Sequence, residues 1–403
     1  MKTVGIICEY NVFHNGHKHQ IDSLRAMGYD CVVCVMSGNF TQRGELAIAD
    51  KYTRAEAALM GCADVVLELP FPFSSFSAEG FATAGIQILS AVGVDAVSFG
   101  SECGDTDLLR RAANAVSSKE FSASYSQKKA NGSAVAFFDT LSDVMGDDIT
   151  VLSNDILAIS YIAAIKKLGA TMEIIPIKRE GASFRSVELV DTLPSATAIR
   201  REVINSANGF ASLKSCHVPT TVLDVLAKAQ DIGLCPVIQQ NVEKEILSFF
   251  KLMSPRDIAS RAIGISHGGT SVAEDGDGLV ERLCRSAKNS NSIEDFLRSA
   301  YNSRHTDARV NRVMLFSLLG VSDAMSKALP SYTTLLSANA KGRELLTSIR
   351  KSAAIPIIAK PADAPDSAQK DISDLADAFY TLAMPKNFDF DYFIKQRPCI
   401  ANL

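Results

Sequence analysis

The chain has no run of about 18 consecutive apolar residues, so no membrane-spanning helix is expected. It also lacks an excess of positive charge. Against 45 aspartates and glutamates stand 41 lysines and arginines, a net charge of −4. That balance argues against crude electrostatic binding of DNA or RNA but leaves room for a local basic face. Histidine is scarce, with six in 403 residues. Cysteines number nine, an odd count scattered through apolar segments. This suits a reducing cytoplasm rather than a disulfide scaffold. The single Cys-x-x-Cys, Cys31-Val32-Val33-Cys34, lies inside a strand-like run. Residues i and i+3 of a strand point to opposite faces, so core packing is expected there, not redox chemistry or zinc. No internal repeat is visible. No signal peptide is expected, because Met1-Lys2-Thr3 leads directly into an apolar run.

What is present is an alternation. Val4–Cys8, Cys31–Met36, Val65–Leu69, Ala96–Phe99 and Met172–Ile177 read as buried strands. Between them Asn15–Ala26, Tyr52–Gly61, Ala78–Ala91 and Asp155–Lys167 read as helices. The pattern predicts an α/β fold, a parallel sheet with helices on both faces. Residues 117–150 carry little pattern. Past about residue 210 the strand signal fades, and Val218–Gln230, Gln240–Phe250, Ser292–Tyr301, Val310–Leu319, Gly342–Ser352 and Ile372–Leu382 read as amphipathic helices. Gly264–Gly278 reads as a loop. The expectation is a catalytic domain over 1–210 and an α-helical region over 211–403, with the boundary in Asn205–His217. The first part is acidic and the second slightly basic, so any basic patch belongs in the second.

Directly after the first strand comes His14-Asn15-Gly16-His17, at the start of a helix. Two imidazoles can donate hydrogen bonds to phosphate oxygens as charge gathers during attack at an α-phosphorus. A glycine allows close backbone approach, and a helix start adds N–H groups and partial positive charge. Open α/β sheets bind ligands at the carboxyl ends of their strands. The competing reading, half a metal site, lacks completing ligands elsewhere in the chain.

About 180 residues later stands Ser195-Ala196-Thr197-Ala198-Ile199-Arg200, after Pro194. Ser195 could be only a helix N-cap. A cap, however, needs neither Thr197 nor Arg200, and arginine offers bidentate bonds to phosphate. Together the two segments match the paired phosphate-binding elements of nucleotidyltransferases, with the second one clamping the leaving pyrophosphate. The loop Gly38–Glu45 suits a small polar co-substrate or the nucleotide, or is a solvated surface loop. Lys51 and Arg54 could face the same cleft. Gly100, Asn154 and Arg179 fall at strand or helix ends on the predicted ligand-binding edge. Arg298, Arg304, Arg309 and Arg312 surround His305, with Lys341 and Arg343 further on. They are either an RNA-backbone face or a solvated helix surface.

Gly5-Ile6-Ile7-Cys8-Glu9-Tyr10-Asn11 followed by Phe13-His14-Asn15-Gly16-His17 resembles the start of the bacterial tRNA(Met) cytidine acetate ligases, within the nucleotidyltransferases that carry His-x-Gly-His. The resemblance continues through Gly38–Glu45, Ala63–Pro70, Phe99–Glu102, Asn154–Ala158, Ile177–Ala182 and Ser195–Arg200. It runs more weakly through Ser303–Leu319, Asn339–Leu346 and Ile355–Lys360. It implies a Rossmann-like domain followed by a mostly helical, tRNA-binding region. It further implies an AMP-forming ligase that uses ATP, with Mg2+ as the phosphate counter-ion, to activate acetate as acetyl-adenylate. The acetyl group then passes to the wobble cytidine of elongator tRNA(Met), giving N4-acetylcytidine. The resemblance places ATP on Ile7, Cys8, Glu9, Tyr10, Asn11, Val12, Phe13, His14, Asn15, Gly16, His17, Lys18, His19 and Gln20, and on Gly100, Asn154 and Arg179. His14, His17, Ser195, Thr197 and Arg200 are the expected catalytic residues. RNA contacts are expected at Arg304, Arg309, Arg312, Lys341 and Arg343. Three departures stand out: Val12 replaces the family's usual proline, Gln20 its usual histidine, and Ser183-Phe184-Arg185-Ser186 its usual Tyr-His-Asp. Two other readings stay open: an adenylyltransferase acting on a phosphorylated cofactor precursor, and an RNA-binding protein with an inactive nucleotide site.

Overall fold

The computed structural model describes residues 1–128, 133–146, 153–178, 194–261, 278–302 and 305–401. One mixed sheet organises it. The first part of the chain supplies β1 (Thr3–Cys8), β2 (Cys31–Ser37), β3 (Val65–Leu69), β4 (Ala96–Ser101) and β5 (Glu173–Lys178). These five run parallel, with Cys8 opposite Met36, Val4 opposite Ala96 and Ser101 opposite Lys178. Every residue of β2 and β3 is buried, which is why they read as unbroken apolar runs. The expected Rossmann-like α/β architecture is therefore present.

The spatial order is β5-β4-β1-β2-β3 across these strands. The chain leaves β1 through the helix Asn15–Ala26 to reach β2 on one side. It returns from β3 through the helix Ala78–Val92 to β4 on the other side. Strand order thus reverses at β1, and a crevice opens beyond the carboxyl ends of β1 and β4. The segment after β1, His14–His17, starts at that crevice.

The described part of residues 117–150 holds the helices Lys119–Lys128 and Ser133–Met145, joined by the rings of Phe121 and Phe137 at 5.4 Å. Beyond residue 210 the expected helices form within a few residues of their predicted limits, among them Thr220–Asp231, Ile293–Ala300, Asp307–Leu319, Ala340–Ile349 and Ala368–Ala383. The fading of the strand signal is corrected here. The second part also supplies β6 (Thr333–Ala338), β7 (Ile357–Ile358) and β8 (Cys399–Ile400). β6 pairs antiparallel with β3, Val65 opposite Ala338, and both β7 and β8 pair with β6. The sheet crosses the expected boundary at 210. Cys31 and Cys34 are buried on β2 with free thiols. The loop expected at Gly264–Gly278 lies outside the described residues except for Gly278.

Candidate active site

His14 caps the helix Asn15–Ala26. Its Nδ1 accepts the N–H of Gly16 at 3.1 Å, and the Nδ1 of His17 accepts the N–H of His14 at 3.2 Å. The two rings stack with centroids 3.7 Å apart. This reciprocal cap has a chemical consequence. An imidazole that accepts at Nδ1 carries its proton on Nε2. Both histidines therefore present N–H donors at the same helix N-terminus, where backbone N–H groups and the helix dipole already favour an anion.

The approach from β1 is built to hold this pair. Tyr10 has φ +42°, an uncommon backbone conformation for a bulky residue. Packing holds it there: its ring lies 4.9 Å from Phe13 and 4.7 Å from His17, and its hydroxyl sits 3.5 Å from the Cys34 sulfur. Tyr10, Val12 and Phe13 are core residues. Asn11 uses its side-chain oxygen to accept the Ile48 N–H at 2.9 Å. Asn15 donates to the carbonyls of Ser215 and Cys216, at 3.0 and 2.8 Å. That clamp to residues beyond 210 was not legible in the sequence.

Gly16 is required for space. A Cβ there would lie 2.9 Å from Cε1 of His14 and 3.1 Å from Nδ1. Gly16→Ala is expected to displace the His14 ring and raise KM for ATP about tenfold, roughly 1.4 kcal/mol. Steady-state kinetics with varied ATP check this, and an unchanged KM refutes the packing role.

The second expected element meets the first. Arg200 Nη1 donates to the Asn11 carbonyl at 2.5 Å, and Nη2 reaches the Thr197 hydroxyl at 3.4 Å. Burial lowers the pKa of Arg200, while Glu45 and Glu9 act against that shift. Ser195 Oγ accepts the Ala198 N–H at 3.1 Å and so is a helix cap. Gln20 donates to Ser98 of β4 at 3.1 Å, while His19 is exposed and Lys18 pairs with Asp22 at 2.8 Å.

Gly100 lies near the end of β4, and Asn154 in the first turn of the helix Ser153–Leu168. Asp155, unremarked in the sequence, joins these segments by accepting from Ser101 Oγ at 2.6 Å and Glu102 N at 3.0 Å. The side chain of Asn154 lies outside the described residues, as do Arg179, Ser183–Ser186 and Arg304.

Lys51 and Arg54 require a correction, because neither lines the cleft. Arg54 is 1% exposed. It donates to the carbonyls of Ala49 at 2.8 Å, Glu9 at 2.6 Å and Ser37 at 3.0 Å, and also to Gly38. It ties the end of β1 to the end of β2. Lys51 lies beneath the 38–45 loop between Glu68 and Asp377, at 2.8 and 2.6 Å. Both cations are consumed by carbonyls or carboxylates that local sequence cannot reveal.

The expected basic cluster is divided. Arg312 reaches the 38–45 loop, donating to the Gln42 carbonyl at 3.3 Å. Burial, reinforced by Arg309, pushes it down to about 10. Lys341 and Arg343 are exposed on a helix whose Gly342 packs on Asp64, at the start of β3. They stand at the opposite end of the sheet.

A Rossmann-order sheet with a doubled histidine donor at its switch point defines a nucleotidyltransferase. The HIGH Nucleotidyl Transferase family model matches residues 1–392. The chain is 33% identical to the tRNA(Met) cytidine acetate ligase of Acetivibrio thermocellus over 381 residues, covering 90% of this chain and 89% of that protein. It is 32% identical to the protein of the same name from Caldanaerobacter subterraneus subsp. tengcongensis, covering 96% of each. Crystal structures of Thermotoga maritima TmcAL superpose over 100% of both chains at 30% identity. The TM-score is 0.87 for the apo form I and 0.85 for the form II bound with alpha-thio ATP. The chain belongs to the HIGH nucleotidyl transferase family and, within it, to the tRNA(Met) cytidine acetate ligases.

Proposed function

We propose that this chain is an ATP-dependent ligase that activates acetate as acetyl-adenylate and transfers the acetyl group to the wobble cytidine of elongator tRNA(Met). The product is N4-acetylcytidine. The observation that carries this reading is the reciprocal cap of His14 and His17, which sets two Nε2–H donors at one helix N-terminus.

An acetate oxygen attacks the α-phosphorus, and negative charge grows on the phosphate oxygens. Donors already in place stabilise that charge without reorganising. Pyrophosphate leaves toward Ser195, Thr197 and Arg200. Arg200 can exchange the Asn11 carbonyl for a phosphate. The cytosine amine then attacks the acetyl carbon and AMP departs. Among the described residues no group of three or more His, Cys, Asp or Glu could hold a metal. Mg2+ in this reading neutralises the nucleotide's own phosphates. Gly100, Asn154 and Arg179 serve the nucleotide on the β4–β5 side. RNA approaches over the helix Asp307–Leu319, with Arg304, Arg309 and Arg312, rather than at Lys341 and Arg343. No helix among the described residues is long and apolar enough to cross a membrane, and the reaction belongs to the cytoplasm, where its tRNA resides.

The test supplies purified protein with labelled acetate, ATP and elongator tRNA(Met). Label is expected in the RNA, dependent on ATP and not replaced by acetyl-coenzyme A. Pyrophosphate release only with a phosphorylated cofactor precursor would instead identify an adenylyltransferase. Absence of ATP turnover with every acceptor would leave an RNA-binding protein.

A further inference from the structure

We propose that Glu45 is the general base of acetyl transfer, its carboxylate taking the proton from the cytosine amine as that nitrogen attacks the acetyl carbon. The assignment rests on the acetyl-adenylate route proposed above.

The loop carrying Glu45 is fixed on several sides. Glu9, just past β1, accepts the Gln42 N–H at 2.6 Å through Oε1. Arg312 donates to the Gln42 carbonyl from the other side. Gly44, at φ +73°, lies so close to the Asp307–Leu319 helix that a Cβ would stand 2.7 Å from Arg312 N. The loop closes on itself through Thr41 N to the Glu45 carbonyl at 2.9 Å and a bridge between Phe40 and Leu46. It is therefore a positioned element rather than a solvated surface turn.

The charges that act on Glu45 belong to Glu9 just past β1, Arg200 on the helix Ala196–Asn205, Asp307 on the helix Asp307–Leu319 and Arg43 on the loop itself. Arg200 is anchored to Asn11, inside the segment that leads to His14. The loop that carries Glu45, bonded to Glu9 through Gln42, thus stands beside the segment that leads to the expected reaction centre. Five nearby carboxylates are engaged, and Asp307 is exposed. Glu9 accepts Gln42 N, Asp50 accepts Tyr52 N and Thr53 N, Glu68 and Asp377 hold Lys51, and Asp155 accepts Ser101 and Glu102. Glu45 is half-buried, and its carboxylate has no hydrogen bond or ion pair among the described residues. Burial raises its proton affinity, opposed by Arg200 and Arg43. A carboxylate so placed is a stronger base than an exposed one.

The chemistry needs such a group, because the lone pair of the cytosine amine is delocalised into the ring. As the new N–C bond forms, one N–H proton passes to Glu45. The C–O bond to the phosphate breaks, and AMP leaves with that electron pair. Glu45 then returns its proton to solvent.

The test separates this step from activation. Chemically prepared acetyl-adenylate and elongator tRNA(Met) are mixed with wild type, Glu45→Gln and Glu45→Asp, without ATP. Glu45→Gln is expected to slow transfer by about 10²–10⁴-fold, with partial recovery in Glu45→Asp. Acetate-dependent pyrophosphate release by Glu45→Gln should fall far less than transfer does. Wild-type transfer should fall as pH drops and the carboxylate protonates, and Glu45→Gln should lack that limb. Transfer by Glu45→Gln at the wild-type rate, or equal loss of both steps, overturns the role of Glu45 alone. A wild-type enzyme that leaves supplied acetyl-adenylate untouched overturns the adenylate route and this role with it.

Discussion

Replacing His17 by alanine is expected to lower ATP-dependent acetylation of tRNA by about 10²–10³-fold, the usual cost of removing one preorganised donor from a developing oxyanion. The expectation follows from the tautomer. Nδ1 of His17 accepts the His14 N–H, which leaves the proton on Nε2. The same substitution removes half of a capping box, a structural loss of only about 1 kcal/mol. Activity and stability should therefore separate, with kcat collapsing while Tm falls by a few degrees. The stacked His14 ring loses its neighbour at 3.7 Å, so the His14→Ala, His17→Ala double variant should lose less than the sum of the single losses. Because the defect lies in activation, transfer from supplied acetyl-adenylate should survive in His17→Ala. An acetate-dependent pyrophosphate release rate near that of wild type would remove His17 from the reaction.

That donor pair was legible because everything it needs is local. A buried strand, a turn, a histidine able to cap its own helix and a second one three residues on are written consecutively in Val4–His17. The parallel strands were legible for a related reason: β2 and β3 are buried on both faces, so each is a continuous apolar run. β6 was not. Thr333–Ala338 is equally buried, yet it is rich in hydroxyls, and its partner β3 lies far away in sequence. Thr333 donates to the Glu68 carbonyl and Ser337 to that of Ala55, so those hydroxyls are core hydrogen bonds rather than loop signals. The same limit applies at the site. Arg54 and Lys51 read as cleft residues because their type suggests phosphate. Their true partners are backbone carbonyls and a carboxylate more than 300 residues away. Glu45 stood within a loop recognised as polar, but nothing local distinguishes its unengaged carboxylate from the engaged one of Glu9.

Lys51→Met is expected to destabilise the protein by about 3–5 kcal/mol at pH 8, because it leaves Glu68 and Asp377 buried without their cation. Lys51 is 2% exposed, Glu68 4% and Asp377 9%. Burial pushes Asp377 up to about 6, against the opposing pull of Lys51. Removing the lysine removes that pull, so the carboxyl of the variant binds its proton more tightly still. A native carboxyl pKa above the unfolded value means that the folded state holds protons the unfolded state has released. Stability of the variant must then rise as pH falls through that range. The gap to wild type should narrow from pH 8 to about pH 5.5 in urea unfolding, and adding Glu68→Gln should recover part of it. A gap that is constant with pH would show that lost packing, not uncompensated charge, sets the cost. The effect reaches the site because Asn39 accepts Lys51 N and donates to Asp377, both at 2.8 Å. Asn39 begins the loop that carries Glu45, while Tyr380 on the same helix as Asp377 donates to Ala47 at 2.7 Å. Loosening this triad should therefore slow acetyl transfer more than pyrophosphate release, which ties the far end of the chain to the geometry of the active centre.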